Sequence, residues 1–163
     1  MGSAVRPYTG ISDAPARGAR PGTKQFQALM VFLFGMRSLG IYANRPVRGG
    51  STLSVHATGR ACDLGGSEDN IVRAINFLVD FADELQIEAV HDYGNRVIPG
   101  RYGAAWRCNR GTWKVYDRPT IGSPGAKWVH YEISPTMADD PDLVDAAFTD
   151  ILARITKALE GLK

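Results

Sequence analysis

Three side chains of metal-binding type are concentrated in two short stretches of this chain. In Ser54-Val55-His56-Ala57-Thr58-Gly59-Arg60-Ala61-Cys62-Asp63, an imidazole and a carboxylate, both zinc-ligand types, are separated by one tight turn. Gly59 fits that turn, because glycine adopts positive φ cheaply; the chain then doubles back and His56 and Asp63 face a common point. Ala61 and Asp63 share a strand face, and Cys62 points the other way. A catalytic zinc usually takes three protein ligands and keeps one position open for water, and two further histidines remain, His91 and His130. In Lys127-Trp128-Val129-His130-Tyr131-Glu132, period-2 geometry projects Trp128, His130 and Glu132 from one face. His91 sits mid-strand without such company and reads as structural.

Other chemistries find less support. Two cysteines, Cys62 and Cys108, with no CxxC pair exclude a thiolate zinc site, so a metal must be held by His and carboxylate; spacing leaves their pairing open. The glycine-rich pieces Arg48-Gly49-Gly50-Ser51-Thr52 and Gly122-Ser123-Pro124-Gly125-Ala126 lack the GxxxxGK[ST] pattern of a phosphate loop. Ser54 has no G-x-S-x-G around it, which makes it a hydrogen-bond partner in the metal loop and not a nucleophile. The net charge of +2 comes from scattered residues, which argues against nucleic acid as a partner while suiting an acidic cell-wall polymer. No window approaches the roughly 18 apolar residues of a membrane span, and the first two dozen residues hold no apolar stretch of signal-peptide length. The expected route is therefore synthesis in the cytoplasm, without membrane insertion.

The elements that must position these residues follow from periodicity. A length of 163 residues suits one domain. Residues 1–22, broken by Pro and Gly, read as an extended N-terminal arm, and residues 23–163 as the domain. A helix is expected from Thr23 as cap, with Phe26, Leu29, Met30, Leu33 and Met36 on one face and Gly40 as its end. A second starts at Ser67 and carries the stripe Ile71, Ala74, Ile75, Leu78, Ala82 and Leu85. A third starts at Asp140-Pro141 and runs through Phe148 and Ile151 towards Leu159. Strands are expected over 41–43, 61–64, 87–93, 105–108, 112–116 and 128–134, with a hairpin around Asn109-Arg110-Gly111. Together these predict an α+β fold in which a small antiparallel sheet carries the metal site and about three helices flank it.

The run from Ser54 to Asp63 resembles the first metal motif of the zinc D-Ala-D-Ala carboxypeptidases and of their phage relatives, the L-alanyl-D-glutamate endolysins. Trp128-Val129-His130-Tyr131-Glu132 resembles their second motif, and the similarity spans residues 25 to 135. It implies one Zn²⁺ held by His56, Asp63 and His130, and cleavage of bonds involving D-amino acids in peptidoglycan stem peptides. It also implies action at the bacterial cell wall, through phage lysis or as a virion component. In that family an acid three residues before the last histidine serves as general base, taking the proton from the attacking water. Here that position is Lys127. An ammonium about 6 Å from a divalent ion, at an effective dielectric of about 20, is repelled by roughly 5 kcal/mol, so Lys127 is no substitute.

Glu132 is then the leading replacement, or else an acceptor that orients a ligand imidazole. The family also uses an upstream arginine for the substrate carboxylate, for which Arg45 and Arg48 are the local candidates and Arg48 the preferred one; Trp128 is a candidate cleft wall. The hedgehog signalling domain is similar in fold and shows that such a zinc site need not hydrolyse anything. The rival expectation is accordingly a catalytically silent, zinc-stabilised cell-wall-binding or virion module.

Overall fold

Alternation along the strands separates this molecule into two faces of one sheet. The structure, a computed structural model, describes residues 5–47, 50–120 and 125–162. Among these, six strands form one antiparallel sheet: β1 (Arg37–Gly40), β2 (Ala61–Gly65), β3 (Ile87–Asp92), β4 (Ala104–Arg107), β5 (Thr112–Val115) and β6 (Trp128–Ile133). Their spatial order is β1-β2-β6-β3-β4-β5. Four helices accompany them: α1 (Pro21–Phe34), α2 (Glu68–Asp80), α3 (Pro135–Asp139) and α4 (Pro141–Glu160). The fold is α+β.

Cys62 and Leu64 of β2, Val129, Tyr131 and Ile133 of β6, Val90 of β3 and Trp106 of β4 project to one face. There they join Phe26 and Met30 of α1, Ile71, Ile75 and Leu78 of α2, and Phe148 and Ile151 of α4 in a single core. Burying a side chain of this size stabilises by about 1.5–3 kcal/mol, which is why the helices hold to that face and leave the other for the site. Cys62 and Cys108 are both free and buried. Burial pushes the Cys62 thiol up to about 12, so it packs as an inert apolar group.

The helix caps explain where the sequence reading holds. Ser67 accepts from the Asn70 amide ahead of α2, and Asp140 accepts from the amides of Asp142 and Leu143 ahead of α4. The helix expected from Thr23 to Gly40 is corrected at both ends. It starts at Pro21, whose fixed φ suits the first turn, and Thr23 lies buried inside it. It stops at Gly35, which takes φ 58° and bonds back to the Val31 carbonyl. Arg37 to Gly40 then form the edge strand β1, and residues 41–43 are not a strand. The short helix α3, capped by Ser134, was not expected.

The arm expected over residues 1–22 is docked where it is described. It includes a 3-10 turn at Gly10–Ser12, and Arg6 donates to the carbonyls of Ala82 and Ile87. Fully buried Arg60 reaches Glu88 at 3.1 Å, Asp13 at 3.1 Å and the Gly10 carbonyl at 2.5 Å. Glu88, also buried, accepts from the amides of Thr9 and Gly10. Gly59, at φ 71°, lies under this arm: a Cβ there would sit 2.4 Å from the Gly18 carbonyl oxygen.

Candidate metal centre

Register places the chemistry. Across three neighbouring strands Asp63 pairs with His130 and His130 with His91, so these residues form a row on the face away from the core. The next row along runs Ala61, Glu132, Ala89, Arg107. The fully buried alanines at 61 and 89 leave room beside Glu132.

His56 arrives from the 3-10 turn Val55–Thr58. Ser54 caps that turn and accepts from the His56 amide at 3.4 Å, and Gly59 ends it in the left-handed region. The Nδ1 of His56 lies 2.7 Å from the Ile41 carbonyl, an acceptor only, so Nδ1 carries a hydrogen and Nε2 is the nitrogen turned to the site. That Nε2 is 3.3 Å from Asp63 Oδ2, while His130 Nδ1 is 2.9 Å from Asp63 Oδ1. Donor atoms of His56, Asp63 and His130 all lie within 4.8 Å of one another, close enough to hold one metal ion.

The chemistry of the donor set suits a cation. Two imidazoles converge on a carboxylate, and lone pairs that face one another require a proton or a metal between them. Burial by itself would lift the Asp63 carboxyl, yet hydrogen bonds to His130 and His56 outweigh it and hold Asp63 well below the usual carboxylate range. Burial would depress His130, yet Asp63 and Glu132 on either side raise it to about 9. A metal ion held by His130 and Asp63 would displace the proton between them.

Glu132 Oε1 lies 3.2 Å from His130 Nε2, and its Oε2 accepts from Tyr8 at 2.7 Å. Burial opposes its charge, but hydrogen bonds from His130 and Tyr8 and the charge of His130 hold it below its ordinary range. A carboxylate with both oxygens engaged orients the imidazole, as outer partners of metal-ligating histidines generally do.

The other expected residues fall as follows. Lys127 is exposed and does not line the cleft. Arg45 lines it and donates to the Pro46 carbonyl; Arg48 lies outside the described residues. Trp128 lines the cleft against Tyr93, ring centroids 6.1 Å apart.

The reading of His91 as a residue without company is corrected. It lines the same cleft of about 620 Å³, its ring centroid 5.0 Å from that of His130, and Tyr116 Oη meets its Nδ1 at 2.5 Å. Burial and the neighbouring His130 depress it to about 3, so it is neutral. A second group of possible ligands, His91, His130 and Glu132, shares His130 with the first. Tyr93 lines the cleft too, as do Tyr8 and Arg107, which were not legible as site residues. The volume lies within the range of small-molecule and peptide sites. No family model, curated protein or solved structure matches this chain.

Proposed function

We propose that this protein is a zinc-dependent peptidase acting on peptidoglycan stem peptides at bonds involving D-amino acids, released in phage lysis or carried on a virion. The observation that carries this reading is the convergence of His56, Asp63 and His130 within 4.8 Å in the wall of a cleft large enough for a peptide. When bound, zinc would supply a Lewis acid that polarises a peptide carbonyl and the attacking water. The chain's own residues do the rest. Ile41 fixes the His56 tautomer, Glu132 holds the Nε2–H of His130, and the aromatic wall of Tyr93 and Trp128 restricts water around a bound peptide.

A second reading, a zinc-stabilised binding module without hydrolysis, is favoured by one specific observation. The residue three before His130 is exposed Lys127, and Glu132 already engages both its oxygens, so neither is placed to take a proton. One experiment separates the two. Protein purified without added zinc is assayed for metal content and for release of new amino groups from purified peptidoglycan, beside His56→Ala. The peptidase reading expects about one zinc per chain and release that disappears in the variant. Zinc without release supports the binding module; absence of zinc removes both.

A further inference from the structure

His130 stands at the centre of a near-symmetric group, of which the metal centre at Asp63 uses one half. Its Nδ1 lies 2.9 Å from Asp63 Oδ1 and its Nε2 lies 3.2 Å from Glu132 Oε1, so each ring nitrogen faces a carboxylate. Two further imidazoles pack edge-on against it, with the ring centroid of His56 4.9 Å away and that of His91 5.0 Å away. Each of these rings has its Nδ1 occupied, by the Ile41 carbonyl in His56 and by the Tyr116 hydroxyl in His91, which leaves Nε2 as the nitrogen available to a ligand. The Nε2 of His91 is buried and has no hydrogen-bond partner within the protein. Buried polar atoms without partners are few in native folds, and this one lies among donors of metal-binding type. Donor atoms of His91, His130 and Glu132 fall within 4.8 Å of one another, as do those of His56, Asp63 and His130. Tyr8 donates to Glu132 Oε2, which leaves Oε1 for the second group.

We infer that His91, His130 and Glu132 form a second metal site, so that the cleft takes two divalent ions of zinc type with the His130 ring shared between them. Imidazole nitrogen and carboxylate oxygen are donors that zinc accepts, and three of them leave a position open at each ion. The shared ring binds as an imidazolate, with no hydrogen on either nitrogen. The first ion displaces the proton at Nδ1 and the second the proton at Nε2, and both are released to solvent. His91 then binds through Nε2 while its Nδ1 donates to Tyr116 Oη, as the outer nitrogen of a metal-ligating histidine usually does for an oxygen acceptor. Charge sets the order of filling. Asp63, Glu132 and the bridging imidazolate supply three negative charges against the four positive charges of two ions, so the second ion binds more weakly than the first. The inference rests on the metal-centre reading and extends it from one ion to two.

The test is zinc binding to the full-length chain, followed by equilibrium dialysis over rising zinc concentration with direct metal analysis. Wild type is expected to take up two zinc ions per chain in two steps, the second about tenfold or more weaker than the first. His91→Phe is expected to hold one ion, with an affinity within about tenfold of the first step of wild type. His130→Ala, which takes a ligand from both groups, is expected to lose tight binding of both ions. Should His91→Phe not fold, as read by circular dichroism, His91→Gln decides by the same count. Wild type that saturates at one ion, retained in His91→Phe, overturns the second site alone, and so does a second ion that survives His91→Phe. A single ion that survives His56→Ala and is lost in His91→Phe overturns the shared ring together with the reading of His56 as a ligand. Wild type that holds no zinc overturns the metal reading and the second site with it.

Discussion

Two groups of buried charge lie close together in this molecule and are built on opposite plans. Around Arg60 the signs match: one guanidinium meets Glu88, Asp13 and the carbonyls of Gly10 and Ile133, and the spare oxygens of Glu88 take the amides of Thr9 and Gly10. Around Asp63 the cation set between two carboxylates is an imidazole, which can give up its proton. Two imidazole nitrogens point at one carboxylate, and a second carboxylate lies behind His130. The closed group holds a chain segment in place; the open one could hold a metal ion. Buried ionisable groups therefore report function only when their partners fail to satisfy one another.

Breaking the closed group should have the largest effect. Arg60→Met leaves Glu88 buried without its cation, and urea unfolding should show a loss of about 3–5 kcal/mol, part of which returns in Arg60→Met with Glu88→Gln. A loss below about 1 kcal/mol would mean that this network does not pin the N-terminal segment. Asp63→Asn should reverse the pattern. Its unfolding free energy without metal should fall by only about 1–2 kcal/mol, while zinc affinity, read by chelator competition, should drop by more than the 10–100-fold typical of an orienting partner. Equal zinc affinity in the variant would remove Asp63 from the ligand set.

The open group should also betray itself through pH. His130 is raised in the folded metal-free protein from 6.5 to about 9. A group with a raised folded pKa contributes stability that is complete below the unfolded value and is lost as pH rises through the folded one. The melting temperature of metal-free protein should consequently fall between about pH 6.5 and pH 9. With zinc in place of the proton, the decline over that interval should vanish. A metal-free protein with a flat profile would show that His130 is not held between its two acids as described.

Much of the closed architecture was legible in the residues, and much of the open site was not, for identifiable reasons. Caps at Ser67 and Asp140 and the alternation of β2 and β6 are local signals, and they fixed α2, α4 and the facing of Asp63 and His130. Met36 continues the apolar period of α1 after Gly35, so the helix seemed to run on, while β1, exposed over most of its length, shows no alternation at all. His91 was hidden by a bulge. Ile87 pairs with Ile133 on the core side, yet Ala89 pairs with Glu132 on the site side, because one extra residue of β3 is accommodated between them. Simple alternation from Ile87 turns His91 into the core; the inserted residue turns it into the cleft. The N-terminal segment has no period to read, and its role depends on Arg60, a residue embedded in the metal motif whose partners are remote in sequence.

Tyr8 joins the two groups, and its removal should give the smallest and most informative effect. The closed network around Glu88 and Arg60 holds residues 9, 10 and 13, and Arg107 covers the Tyr8 ring at 4.5 Å, so the hydroxyl is delivered to Glu132 from a rigid support. Glu132 in turn sets the ring of His130. Tyr8→Phe keeps the ring and its packing and deletes one hydrogen bond, so the fold should lose about 1 kcal/mol or less. If the arm exists to orient the metal centre, zinc affinity should nevertheless weaken by about tenfold, the lower end of what outer-partner substitutions do. Stability lost with affinity intact would make Tyr8 only a strut. Affinity lost with stability intact would show that the closed group is the foundation on which the open one is set.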